Sequence, residues 1–136
     1  MESLTTSDPA VTVVRKAYAA LDAHDVAAMV ALADPAVTVD QSDTLPWGGH
    51  HVGHDGLVSF VTAVAAHLRS TVEVVDLFDA GDRVVQVGRT RGHAVATGRA
   101  FDAGEVHVWR VADGRITGLT VYVDTAALRD ALGLDV

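Results

Sequence analysis

RAFDAGEVHVWRVADGRITGLTVYV, residues 99–123, alternates apolar and polar side chains on both sides of an Asp113-Gly114 turn. A period of two marks a half-buried strand, and a tight glycine turn between two such runs marks a hairpin. The segment predicts antiparallel strands over about Arg99 to Val111 and Ile116 to Val123, closed by Ala112-Asp113-Gly114. Glu105, His107 and Trp109 then share one face, because alternate residues of a strand point the same way. Upstream, Val84 to Arg91 repeats the pattern, as do Val72, Val74 and Leu77, with Ala80-Gly81-Asp82 as the turn between them. Gly92 and Gly98 mark bends or bulges, since glycine weakens strand interiors.

Before residue 70 the period is helical. Asp8-Pro9 reads as a cap and a first-turn proline, and Val11, Val14, Tyr18 and Leu21 follow at helix spacing, giving a helix to about His24. Asp25 caps a short second helix through Val26, Met29, Val30 and Leu32, which Pro35 ends. Val37 to Asp40 is a short strand. His54-Asp55-Gly56 offers the cap of a third helix, with Leu57, Phe60, Val61, Val64 and Leu68 as its stripe, ending near Ser70. Asp124 caps a last short helix through Ala127, Leu128 and Leu132. Helices followed by a meander of strands predict an α+β fold, in which N-terminal helices pack on a strongly curved, mostly antiparallel sheet. One domain is expected over 1–136, with the polar residues 1–7 frayed.

DQSDTLPWGGHHVGHDG, residues 40–56, is the longest stretch without either period. Loops of that length in a compact domain are functional or disordered, and Trp47 with its apolar flanks argues against disorder. The expectation is a loop roofing a pocket, with Asp40 at its inner edge. His50, His51 and His54 are three of the seven histidines, but they lack the spacing of a helical ligand pair, so no metal is expected. One of His50 or His51 is expected to face the pocket, His51 being the residue assigned to the ligand.

Composition narrows the function. There is no cysteine, so thiolate chemistry and disulfides are excluded. A net charge of -8 repels nucleic-acid backbones and anionic membranes. No apolar run reaches a membrane span, and the N-terminal residues do not read as a secretory signal, so a cytoplasmic protein is expected. Dinucleotide, phosphate-loop and serine-elbow motifs are missing, and no cofactor is expected. Arg89, Arg91, Arg99 and Arg110 read as a solvated strand face or as pairs with the acidic surplus.

Lys16-Ala-Tyr-Ala-Ala-Leu-Asp-Ala-His-Asp25 followed by Leu32-Ala-Asp-Pro-Ala-Val37 resembles the opening of the nuclear-transport-factor-2-like superfamily. Leu45-Pro-Trp-Gly-Gly49, Gly53-His-Asp-Gly56, Val106 to Ile116 and Tyr122 to Leu128 resemble its SnoaL-like polyketide-cyclase and ketosteroid-isomerase-like branch. The resemblance spans nearly the whole chain. It implies a cone-shaped α+β barrel around an apolar pocket, in a homodimer paired through the outer face of the sheet. It also puts Asp40, across one gap, at the place of the isomerases' proton-moving aspartate, and His107 at that of an acid that hydrogen-bonds an oxyanion. The isomerases' catalytic tyrosine falls on Ala17, with Tyr18 about 100° further round the helix. The polyketide cyclases' catalytic acid falls on Val121.

These readings converge on a small-molecule pocket with acid–base chemistry: a cofactor-independent cyclase, isomerase or lyase acting on an apolar polyketide- or terpenoid-like compound. Asp40 and His107 are the expected catalytic pair, since a carboxylate at an apolar rim is a strengthened base and a histidine titrates near neutrality. Trp47, Tyr18, Phe60, Trp109, Leu119, Val121, Val123 and His51 are the expected substrate wall. The alternative is a non-catalytic ligand-binding module of the same fold.

Overall fold

The structure, a computed structural model, describes residues 9–134; the expected Asp8 cap and the expected fraying of 1–7 lie outside that range. In chain order it has α1 (Pro9–Asp22), α2 (Val26–Leu32), β1 (Ala33–Gln41), β2 (Gly49–Val52), α3 (Gly53–His67), β3 (Leu68–Asp79), β4 (Val84–Ala94), β5 (Ala100–Ala112), β6 (Arg115–Val123) and α4 (Thr125–Ala131). The strands form one sheet in the order β2-β1-β6-β5-β4-β3. All neighbours are antiparallel except β1 and β6. Long β3, β4 and β5 form the meander that the period of two predicts, and the α+β plan is as expected.

Helix starts follow the capping logic at two places. Asp25 Oδ1 accepts the Ala28 N–H at 3.0 Å, and Asp124 Oδ1 accepts that of Ala127 at 3.2 Å. Each satisfies a donor that a helix leaves open at its start. The third helix departs from expectation. It starts at Gly53 without a side-chain cap, and His54 Nε2 instead meets the carbonyl of Ala33 at 2.9 Å, tying the helix to β1.

Three strands differ from the sequence reading. β3 begins at Leu68, so Leu68 to Ser70 are strand and not the end of the third helix. β1 begins at Ala33 rather than Val37, so Pro35 lies within a strand and not at the end of a helix. Part of the stretch read as a loop is β2, whose Gly49 to Val52 pair with Gln41 to Thr38. What remains, Ser42–Gly48, is a short connection folded on itself: Leu45 N–H donates to Ser42 O at 3.3 Å, and Gly48 N–H to Leu45 O at 2.9 Å. Leu45 and Trp47 are thereby driven inward and are both buried.

The core lies between the helices and the inner face of the sheet. α1 contributes Val11, Val14, Ala17 and Ala20, β1 contributes Val37 and Val39, and β5 contributes Phe101 and Trp109. Trp109, Val14 and Val84 are among the fully enclosed side chains. Burial of each such aliphatic group stabilises the fold by about 1.5–3 kcal/mol. No helix of the described residues is long and apolar enough to cross a membrane.

The turn before β2 depends on one glycine. A Cβ on Gly48 would stand 1.7 Å from Ser42 O, whereas one on Gly104 would meet nothing nearer than Arg89 Nη1 at 3.9 Å. Gly48→Ala is therefore expected to lose roughly 1–3 kcal/mol by overpacking, and Gly104→Ala to stay within about 0.5 kcal/mol. Chemical denaturation of both variants checks this, and equal losses would contradict it.

Candidate functional site

Residues of α1, α3, α4, β1, β3, β4, β5 and β6 line a cavity of about 910 Å³. Its wall is mainly apolar, with Leu21, Phe60, Val64, Leu68, Val72 and Leu119 among the lining residues. Asp22, His24, Arg69, Thr71 and Arg91 also line it and are exposed, so they form the rim facing solvent.

At the inner wall the polar groups are linked. Glu105, His107 and Trp109 alternate along β5 and point inward together, as the strand period requires. Tyr18 reaches them from α1. Trp109 Nε1–H donates to Tyr18 Oη at 2.9 Å, and Tyr18 Oη lies 2.7 Å from His107 Nδ1. The Tyr18 and His107 rings stack 5.8 Å apart, and Trp109 meets Tyr18 edge-on at 5.5 Å. His107 Nε2 is 3.3 Å from Glu105 Oε2, which also accepts Gln86 Nε2–H at 2.7 Å. A neutral His107 satisfies this network with its proton on Nε2, facing the carboxylate, and its bare Nδ1 accepting the Tyr18 O–H. Burial raises the Tyr18 pKa above its ordinary value, and the charge of Glu105 adds to this, while donation from Trp109 and Gln86 opposes it. The resting group is therefore a phenol.

His107 lines the cavity as expected, but Asp40 does not join it. Val39 and Gln41 point inward, so Asp40 between them leaves on the outer face. There it meets His50 Nδ1 at 2.5 Å, with 38% of its side chain exposed. Asp40 lines a separate hollow of about 450 Å³ with Ser42, Asp43, Thr120 and Tyr122. A shift of one residue along a strand changes the face. The inward neighbour is Gln41, whose Oε1 accepts Trp47 Nε1–H at 2.9 Å. The same one-residue offset holds on α1: Ala17 is sealed in the core and Tyr18 faces the cavity.

Of the expected wall, Trp47, Tyr18, Phe60, Trp109, Leu119, Val121 and Val123 line the cavity and His51 does not. His51 Nε2 meets Trp47 O at 3.0 Å and its ring backs Phe60 at 5.4 Å, so it braces the wall from behind. The three neighbouring histidines take separate partners: Asp40, Trp47 O and Ala33 O. Among the described residues no three histidine or acidic side chains gather as a metal site.

The strand arginines are partly spent on carboxylates. Arg89 bonds Asp102 at 2.6 Å, and Arg91 lies 3.2 Å from both Asp102 and Glu73. The hydrogen bond from Arg89, with help from Arg91, holds the Asp102 pKa below its ordinary value.

Sequence reading placed Glu105 beside His107 without giving it a role and passed over Gln86. The available signal was Gln86 itself, a polar residue at an inward position of the run Val84-Val85-Gln86-Val87.

The chain matches the SnoaL-like domain model over residues 14–119. A search among curated proteins finds no match. Among solved structures it is similar to a nuclear-transport-factor-2-like protein of unknown function from Burkholderia pseudomallei K96243, at 28% identity and a TM-score of 0.85, over 92% of this chain and 98% of that one. A nuclear-transport-factor-2-like protein from Burkholderia thailandensis E264 is 33% identical with a TM-score of 0.83, over 90% of this chain and 95% of the other. TerC, co-crystallised with polyporic acid, is 23% identical with a TM-score of 0.84, over 93% and 99%; at that identity the likeness is one of fold. A family model that spans most of the chain, on the six-stranded, mostly antiparallel sheet described above, makes this protein a member of the SnoaL-like domain family with a nuclear-transport-factor-2-like fold.

Proposed function

We propose that this protein is a cofactor-independent cyclase, isomerase or lyase that performs acid–base chemistry on an apolar, oxygen-bearing substrate of polyketide or terpenoid type. The observation that carries the reading is the Tyr18–His107–Glu105 chain set into the wall of an otherwise apolar cavity. A merely structural cavity has no need of a buried carboxylate, imidazole and phenol in series, because burying them costs free energy unless each is paired.

In this reading Tyr18 is the group that meets the substrate oxygen. With His107 neutral, its proton points to Nδ1. With His107 charged, Nδ1–H donates to Tyr18 Oη and the phenol proton turns to the substrate, while Glu105 offsets the imidazolium charge. The chain can thus polarise a carbonyl or deliver a proton to a developing oxyanion, and the surrounding apolar wall strengthens that interaction. The same wall holds a flexible substrate folded, which lowers the entropic barrier to ring closure. That TerC was crystallised with polyporic acid supports a small organic ligand in this kind of cavity.

We also propose a homodimer through the outer face of the sheet. Phe78, Val87 and Tyr122 lie on that face at 41%, 38% and 59% exposure, an apolar patch that a second copy would cover.

Turnover of an apolar cyclic ketone or polyketide intermediate is expected to fall roughly 100-fold or more in His107→Ala and in Tyr18→Phe. Undiminished turnover in both would sink the proposal. In Tyr122→Phe the one remaining phenol is Tyr18, and its phenolate absorbance is expected only above the ordinary value of about 10. The folded pKa is the higher one, so the unfolded chain loses this proton first. The contribution to stability is complete below pH 10 and falls as pH rises further. Tyr18→Phe should flatten that fall, and an unchanged alkaline slope counts against the assignment. Val87→Arg is expected to give a monomer in sedimentation, and an unchanged molecular mass would exclude this face.

A further inference from the structure

We propose that Glu105 is the base that takes the substrate proton, and that Gln86 and Gly88 are positioning residues that present it. The inference rests on the acid–base reading above and fills the place that Asp40, on the outer face, leaves empty at the cavity.

The two oxygens of Glu105 have different surroundings. Oε2 receives Gln86 Nε2–H at 2.7 Å and faces His107 Nε2 at 3.3 Å. Oε1 has no hydrogen-bond partner among the described residues, yet the fully enclosed side-chain atom left without a partner is Gln86 Oε1, not this one. Glu105 lines the cavity, so its free oxygen is the one with access to a ligand. A carboxylate anchored by one oxygen and open at the other is oriented for proton transfer.

The anchor is built from β4. In the register of β4 and β5, Gln86 stands opposite His107 and Gly88 opposite Glu105. Gln86 therefore reaches Glu105 diagonally, across the Cα of Gly88. A Cβ on Gly88 would stand 2.2 Å from Gln86 Oε1 and 2.2 Å from Glu73 O. The strand thus supplies a buried amide and the gap through which it passes. Gln86 is 0% exposed, and its carbonyl oxygen goes without a hydrogen bond, which costs stability. A leucine of similar size would avoid that cost, so what the amide adds at this position is its donor to Glu105.

The step balances without a further reactant. A C–H bond next to a substrate carbonyl breaks, its proton goes to Glu105 Oε1, and the electron pair moves onto the carbonyl oxygen as an enolate. Tyr18 O–H donates to that oxygen. With His107 charged at the start, its Nδ1 proton passes to Tyr18 Oη as the Tyr18 proton passes to the enolate oxygen, which leaves an enol and a neutral His107. When Glu105 gives a proton back to carbon, the enol returns its oxygen proton through Tyr18 to His107, and the starting state is restored.

The test uses 2-tetralone, an apolar bicyclic ketone with acidic hydrogens beside its carbonyl, incubated with the protein in deuterated buffer and followed by proton NMR. Binding is measured in parallel by fluorescence of the cavity tryptophans, Trp47 and Trp109. Wild-type protein is expected to bind the probe and accelerate exchange, and Glu105→Gln to bind it with roughly 100-fold slower exchange or less. Gln86→Leu and Gly88→Ala are expected to lower the kcat for exchange roughly tenfold with KM for the probe unchanged, because the carboxylate is no longer held in place. A merely structural role for Gln86 would leave kcat in place and lower only the melting temperature. Circular dichroism monitors folding, and Glu105→Asp, which retracts the oxygen, serves as the second variant if Glu105→Gln is unfolded. Exchange undiminished in a folded Glu105 variant overturns this inference and leaves the acid–base reading standing. Binding without wild-type exchange, or no binding, overturns both.

Discussion

Glu105, His107 and the Trp109 indole leave β5 on its inner face, buried, and their polar atoms other than Glu105 Oε1 are paired within the protein. The partners come from two other elements. α1 brings the Tyr18 hydroxyl between Trp109 and His107, and β4 brings the Gln86 amide to Glu105. A buried group left unpaired would cost about 1–3 kcal/mol, so this network constrains the angle of α1 on the sheet and the side chains opposite it on β4. The fold and the candidate chemistry are joined at this point.

The two faces of the sheet divide the remaining work. Inward positions carry the core and the cavity wall, while outward positions carry the ion pairs of Arg89, Arg91, Asp102 and Glu73, the Asp40–His50 pair and a patch of exposed apolar side chains. The hairpin of β1 and β2 serves the cavity indirectly. Its tight connection drives Trp47 inward, Gln41 holds the indole, and His51 braces Phe60. The histidine-rich stretch is thus a support for the wall, with each imidazole committed to a different partner.

Much of this was legible in the residues. Alternation around Asp113-Gly114 and Gly81 gives the meander, and Asp25 and Asp124 cap the helices that follow them, because capping is local chemistry. The resemblance in the SnoaL-like segments led to the right family, and His107 with most of the apolar wall lines the cavity. Asp40 was legible too, in principle: Val37 and Val39 inward require Asp40 outward, and a strand admits no other parity. The gapped alignment with the isomerases hid it.

What the sequence determined by itself is therefore what depends on near neighbours: periods, caps, turns and the sharing of a face by Glu105, His107 and Trp109. Tertiary structure decided the rest. Tyr18 meets His107 across 89 positions, and Gln86 meets Glu105 only in the register of β4 and β5, over the bare Cα of Gly88. Such contacts have no local signature, because they depend on how a helix and two strands are brought together by burial of side chains elsewhere in the chain.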